Sequence, residues 1–390
     1  MTYDAVVLGL GGMGSAVLAH LAKRGANVVG LEQFVPKHEL GASAGRSRII
    51  RKAYFEDARY VPLLERAYEL WGELETESGN KLVEFTGVLL VGPAESDVIR
   101  GSIESAALHG LPVERWTATE IVAKFPQTRP LDDEIGVFER EAGFVYPEAA
   151  VEAQLAVAAA HGATCRYAVE VMGWRREAGG LLRVRGSDGT DFLTEKLALC
   201  AGPWLERLPI VPLRVQRNVQ IWFAPETDEF ALGKFPPFLV DRAGFPGHIY
   251  GFPDCGEGVK AALHGYGATT HAGSLDRIIH DEDVAAVRAA LSAWIPAAAG
   301  AFRFGKACMY ARTPDDNFVV DRHPDDERIV IAGGFSGHGF KFAPVIGEIA
   351  ADLLLDGATR HDIGFLSLGR FGAKDEPQGG ALRGGDDVRS

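Results

Sequence analysis

Six residues near the start of the chain constrain its fold more than any others: Gly9-Leu10-Gly11-Gly12-Met13-Gly14. An apolar run at 4–8 (Asp-Ala-Val-Val-Leu) precedes them and reads as a buried strand. Helical apolar spacing follows from Ser15 to Lys23, with Gly25 as a C-cap. Residues 27–31 read as a second strand, ending at Glu32, so the chain opens with one βαβ unit. Gly9 permits the tight turn, Gly11 lets the backbone approach a pyrophosphate, and Gly14 allows close helix–strand packing. The helix N-terminus favours the phosphate charge. A carboxylate at Glu32 accepts ribose hydroxyls and repels a 2′-phosphate, which disfavours NADP. Strand, turn, helix and acid at this spacing specify a dinucleotide site, with Met13 and Gln33 as adjoining contacts. The fingerprint alone does not separate FAD from NAD.

A length of 390 residues is long for one core, so two domains are expected. The net charge of −13 argues against a nucleic acid or an anionic membrane as partner, because both need a basic surface. No apolar run is long enough to span a bilayer. The first residues carry no basic leader, and Asp387-Val388-Arg389-Ser390 is not a peroxisomal address, so a cytoplasmic protein is expected. Cys165, Cys200, Cys255 and Cys308 lack any CxxC spacing, which gives neither a disulfide framework nor a metal site.

Further along, 61–78 reads as a long helix with Leu63, Leu64, Ala67, Leu70 and Trp71 on one face. Strands are expected at 86–91, 164–169, 197–200 and 328–332, and alternating strand patterns at 211–223 and 247–264. Helices are expected at 149–161, over most of 281–299 and near 342–355. Residues 372–390 are rich in Gly, Asp, Glu and Arg without an apolar face and read as a flexible tail.

Four segments narrow the cofactor. They are Arg48-Ile49-Ile50-Arg51-Lys52-Ala53-Tyr54; Ile249-Tyr250-Gly251-Phe252-Pro253 with Lys260 and His264; Cys308-Met309-Tyr310 with Pro314-Asp315-Asp316-Asn317-Phe318 and Asp321-Arg322-His323-Pro324; and Gly334-Phe335-Ser336-Gly337-His338-Gly339-Phe340-Lys341-Phe342. Together they resemble the monomeric sarcosine oxidase family, which includes N-methyltryptophan oxidase and L-pipecolate oxidase. The resemblance runs from Tyr3 to about Phe371. It implies FAD and oxidation of an N-methyl or cyclic amino acid to an imine, with electrons passing to O2 to give H2O2. It also implies a monomer.

By the same resemblance, Cys308 forms a thioether to the flavin 8α-methyl group, and Arg51 with Lys341 binds the substrate carboxylate. A guanidinium grips a carboxylate bidentately and a lysine adds a point charge. Lys260 activates oxygen, because a nearby cation stabilises the negative charge that develops on O2. Arg48 lies near the flavin ring, and Tyr250, His264, Tyr310 and His338 belong to the substrate pocket. Ala201, Gly202 and Trp204 pass close to the cofactor, Gly337 and Gly339 flank it, and Val169 meets the adenine through its backbone. The bland readings are a buried core thiol for Cys308, a surface ion pair with Asp57 or Glu56 for Arg51, a solvated helix start for Lys341 and an outward strand residue for Lys260.

One departure bears on the substrate. Sarcosine and N-methyltryptophan oxidases tend to carry His-His-Gly-Asp-Thr before the arginine run, where this chain has Ala42-Ser43-Ala44-Gly45-Arg46-Ser47, and its stretch from Gly45 to Tyr54 looks closer to the pipecolate-oxidising branch. The alternatives to a sarcosine-type oxidase are an oxidase of N-methyltryptophan or pipecolate, and a flavin dehydrogenase that does not use O2. A silent flavin-binding scaffold and an NAD-dependent reductase rank below these. The expected architecture is α/β: a Rossmann-type FAD-binding domain (1–82, 145–214 and 314–390) interleaved with a substrate domain (83–144 and 215–313) on a mixed or antiparallel sheet.

Overall fold

The computed structural model describes residues 2–372. The expectation of a flexible tail at 372–390 lies, apart from Gly372, outside the described residues. The opening strand, Thr2–Leu8, sits inside an eight-stranded sheet. It pairs in parallel with Val28–Leu31 on one side and with Asp191–Leu199 on the other. Thr164–Arg166 and Asp326–Gly333 extend the parallel core. Parallel strands are covered on both faces, so Ala5, Val6 and Val7 are all fully buried. Helices Gly12–Lys23, Pro147–Ala160 and Ala343–Leu355 belong to the cover on one face.

Nine strands form a second sheet, antiparallel except where Phe238–Val240 runs parallel to Val88–Pro93. Its longest ladder joins Arg214–Phe223 to Phe302–Arg312. A three-stranded sheet of Arg48–Ile50, Gly143–Val145 and Val83–Glu84 completes the set. The α/β architecture with a parallel nucleotide-type sheet and a mixed second sheet is as expected. Among the described residues no helix is long and apolar enough to cross a membrane, and no cluster of metal-ligating side chains occurs.

The helix Val61–Ser78 buries Leu63, Leu64, Ala67, Leu70 and Trp71, the face its spacing marked, and ends at Gly79 with φ 69°. Elsewhere the boundaries moved for local reasons. The strand expected at 164–169 stops at Arg166, and Ala168 turns the chain with φ 57°. The pattern at 247–264 is two strands, His248–Phe252 and Val259–His264. Between them Asp254 accepts the N–H groups of Gly256 and Gly258, each at 2.7 Å, and closes the turn. The helix from Asp281 stops at Trp294, because Ile295 precedes Pro296 and leaves the helical region.

Candidate active site

A cavity of about 720 Å³ is lined by residues from both large sheets. At one end lies the glycine turn. Gly9 has φ +87°, and a side chain there would meet the Cys200 carbonyl at 2.6 Å. Gly14 does not line the cavity; a Cβ on it would lie 1.7 Å from the Gly9 carbonyl oxygen, so its role is the close packing of helix on turn. At the helix N-terminus the Gly12 N–H donates to Ser43 Oγ at 2.9 Å. Glu32 is buried and accepts the N–H groups of Leu10 (2.9 Å) and Phe34 (3.1 Å), with His38 Nε2 at 3.4 Å. Burial pushes its carboxyl up, but the His38 and backbone hydrogen bonds outweigh that and leave it below its ordinary value. Met13, Gln33, Val169, Ala201, Gly202 and Trp204 line the same end. The Val169 N–H is taken by the Glu32 carbonyl at 3.0 Å. Around Gly202 a Cβ would meet nothing within 4 Å.

The second sheet forms the opposite wall, and its register decides what faces inward. Lys260 lies opposite both Trp222 and Phe252; His264 lies opposite His248 and Tyr250 opposite Ala262. Cys308 lies opposite Asn218 and Tyr310 opposite Gln216. Opposed residues share a face, as do residues two apart on one strand. Tyr250, Lys260, His264, Cys308 and Tyr310 therefore stand on one face of the sheet. His264 Nδ1 lies 3.2 Å from the Tyr310 hydroxyl, and burial lowers the imidazole to about 3, so it is neutral. Burial also pushes the phenols of Tyr250 and Tyr310 up.

Lys260 is 2% exposed, which excludes the outward-facing reading. Its Nζ donates to the carbonyls of Gly45 (2.6 Å) and Ser47 (2.8 Å) and sits 4.5 Å from the Phe252 ring centre. Burial and then the Arg48 charge hold its ammonium well below the usual lysine range. Arg48 donates to the carbonyls of Ala42, Ala44 and Ser47. Cys308 is buried, with Sγ 3.7 Å from the Ala42 carbonyl and 4.0 Å from Arg48 Nη2. Lys260 and Cys308 thus lie behind the 42–47 loop, whereas Ala42, Arg48 and Met309 reach the cavity surface.

At the far end Arg51 and Lys341 are buried side chains, 4% and 5% exposed. The solvated reading of Lys341 is excluded. The ion pair of Arg51 with Glu56, at 2.6 Å, is present but is not a surface pair. Lys341 Nζ donates to the His338 carbonyl at 2.6 Å and lies 3.4 Å from the Tyr54 hydroxyl. Burial, reinforced by Arg51 and opposed by Glu56, lowers the ammonium to about 7. Burial raises the Glu56 carboxyl, but Arg51, His338 and Lys341 override it and bring it to about 2. His338 Nε2 faces the Asp316 carbonyl at 3.0 Å and so carries the proton; Nδ1 then accepts from the Tyr54 hydroxyl at 2.6 Å. Burial keeps this histidine near 4, despite the opposing Glu56. Gly337 allows the Tyr310 ring to lie against the backbone, where a Cβ would come within 2.4 Å of it, and Gly339 does the same for Phe335.

The structure thus brings the sequence-selected residues to one cavity or directly behind its wall. It adds side chains that the sequence did not mark: Ser43, Tyr54, Glu148 and Gln220, whose Oε1 is buried without a partner beside the cavity. Each acts through a neighbour more than 30 residues away in the chain.

Residues 4–353 match the family described as FAD dependent oxidoreductase. Monomeric sarcosine oxidase of Streptomyces avermitilis is 40% identical over 385 residues, covering 95% of this chain and 98% of that protein. N-methyl-L-tryptophan oxidase of Yersinia pestis is 34% identical over 376 residues, covering 95% and 100%. Among solved structures, NikD, an amino acid oxidase of nikkomycin biosynthesis, superposes with a TM-score of 0.83 at 23% identity, covering 94% and 97%. L-proline dehydrogenase from P. horikoshii gives 0.82 at 24% identity, covering 95% and 98%. At these identities the two structures bear on the fold alone.

Proposed function

The chain belongs to the FAD-dependent oxidoreductase family, as a relative of the monomeric sarcosine oxidases, and on that premise we propose that it oxidises a small secondary amino acid, N-methyl or cyclic, with O2 as acceptor. Sarcosine is the first candidate, and N-methyltryptophan and pipecolate are alternatives within the same reaction. One observation carries the reading: Tyr250, Lys260, His264, Cys308 and Tyr310 share the sheet face that opposes the glycine turn, while Arg51 and Lys341 close the end.

The residues fit FAD. Gly9, Gly11 and the helix N-terminus suit the pyrophosphate, and Glu32 retains lone pairs for the ribose. Ala201, Gly202 and Trp204 leave an open wall beside them. When bound, FAD supplies the acceptor for two electrons.

Arg51 and Lys341 receive the substrate carboxylate, which competes with Glu56 for the guanidinium. Glu56 and the substrate carboxylate balance the two cations at that end, and it is burial of the site that disfavours a charged amine, so the nitrogen is held neutral with its lone pair free. Neutral His264 and Tyr310 orient that nitrogen without adding charge. Lys260 and Arg48 favour the negative charge that develops as O2 is reduced. Cys308 is the attachment point for the cofactor; reaching Sγ requires the Ala42–Ala44 segment to open, since the Ala42 carbonyl and Arg48 cover it. In this reading 1–82, 145–214 and 314–390 hold the cofactor, 83–144 and 215–313 hold the substrate, and the enzyme acts as a cytoplasmic monomer.

Peroxide release across sarcosine, N-methyltryptophan, pipecolate and proline tests the proposal. We expect peroxide from at least one of them and none from glycine. Bleaching of the flavin without peroxide in air would replace the oxidase by a dehydrogenase, and no bleaching with any amine would remove amine oxidation altogether.

A further inference from the structure

The loop at 42–47 is bound on two sides by opposite charge. Its carbonyls face two cations: Ala42, Ala44 and Ser47 accept from Arg48, and Gly45 and Ser47 accept from Lys260. Its N–H groups face one anion. Glu148 Oε1 accepts the N–H of Gly45 at 2.8 Å and of Arg46 at 3.1 Å, and Oε2 lies 3.2 Å from the Arg46 nitrogen. Arg46 has φ of +68°, a left-handed conformation that a non-glycine residue keeps only with fixed partners. Glu148 lines the cavity and lies in the first turn of the helix Pro147–Ala160, where the helix dipole favours its charge. Its own helix accounts for the residue type but not for a side chain spent on a loop a hundred residues away.

We propose that Glu148 is a positioning residue for the oxygen-reacting half of the cycle, holding the 42–47 loop through the Gly45 and Arg46 N–H groups and, through the loop carbonyls, fixing the Lys260 ammonium and the Arg48 guanidinium. The inference rests on the role given to Lys260 under the proposed function. Around Lys260 stand Arg48 at the end of the loop, Glu148 on its helix, Cys308 on Phe302–Arg312 and Cys255 on the turn after Phe252. Arg48 opposes the ammonium and Glu148 supports it. Removing the Glu148 charge therefore moves loss of the Lys260 proton to lower pH.

The test uses the flavin-loaded enzyme and its Glu148→Gln, Glu148→Asp and Lys260→Met variants, with the reduction by amine and the reoxidation by O2 timed separately. In Glu148→Gln, reoxidation is expected to slow about 10-fold or more, with its fall-off at high pH displaced to lower pH, while anaerobic reduction changes little. Glu148→Asp keeps the charge and should keep the wild-type pH profile, and Glu148→Ala, which also removes the charge, replaces the Gln variant should that fail to fold. Hydrogen exchange supplies a reading independent of turnover: the peptide covering 42–48 should exchange faster in Glu148→Gln, and peptides of the Thr2–Leu8 strand should not. Slow reoxidation in Lys260→Met beside wild-type rate and pH profile in Glu148→Gln overturns this inference alone. Equal slowing of both halves in Glu148→Gln also overturns it. Wild-type reoxidation in Lys260→Met overturns the role of Lys260, and the inference falls with it.

Discussion

Arg51 already has a counter-charge in Glu56, at 2.6 Å and largely shielded from solvent. A substrate carboxylate gains only what it offers beyond that pair, and Lys341 supplies the difference. Arg51→Ala removes one member of a buried charge pair and leaves Glu56 facing Lys341 and His338. We expect apparent substrate affinity to fall by at least about 2 kcal/mol, roughly thirty-fold, with a smaller change in the limiting reduction rate. Unchanged affinity would move the carboxylate elsewhere. Lys341 adds a pH signature. Its ammonium lies near 7, so it is charged below that pH and neutral above it. A simple carboxylate such as acetate has no amine to titrate, and its inhibition should weaken as pH rises through about 7. In Lys341→Met the dependence should vanish, and its persistence would assign it to another group.

The glycine turn and the strands around it test the element scale. Gly14 does not line the cavity, yet a Cβ would lie 1.7 Å from the Gly9 carbonyl oxygen. Gly14→Ala must part helix and turn, at a cost of ~1–3 kcal/mol by overpacking. Lower thermal stability with reduced flavin content is the expected result, and a variant with wild-type melting and full flavin would contradict the packing role. This element was legible because strand, turn, helix and acid all lie within the first 32 residues and each leaves a local pattern, although Thr2–Leu8 also pairs with the distant Asp191–Leu199. The helix Val61–Ser78 was legible for the same reason. The strand Phe302–Arg312 was not: its partners lie some ninety residues earlier, and its sequence alternates only weakly. The family segments named Cys308 and Tyr310, but only the antiparallel register reveals that they share a face with Lys260 and His264. Glu148 and Ser43 left no signal, since a first-turn acid and a loop serine are ordinary residues until the chain folds them against distant N–H groups.

At the scale of the molecule, the cavity belongs to neither sheet alone. The glycine turn and Glu32 come from the parallel sheet, and Cys308 comes from a strand of the second sheet. A cofactor bonded to Cys308 is therefore tethered to the second layer while it is seated by noncovalent contacts on the first, and so bridges the two. Noncovalent FAD stabilises the folded state only in proportion to the logarithm of its free concentration, whereas a tethered group cannot be diluted away. Acid precipitation of the wild type should leave a yellow pellet, and Cys308→Ser should release its colour to the supernatant. The melting temperature of Cys308→Ser should rise with added FAD, while that of the wild type should not respond. A colourless wild-type pellet would remove the thioether. A yellow pellet with an FAD-dependent wild-type melting point would keep the bond but show that only part of the protein carries it.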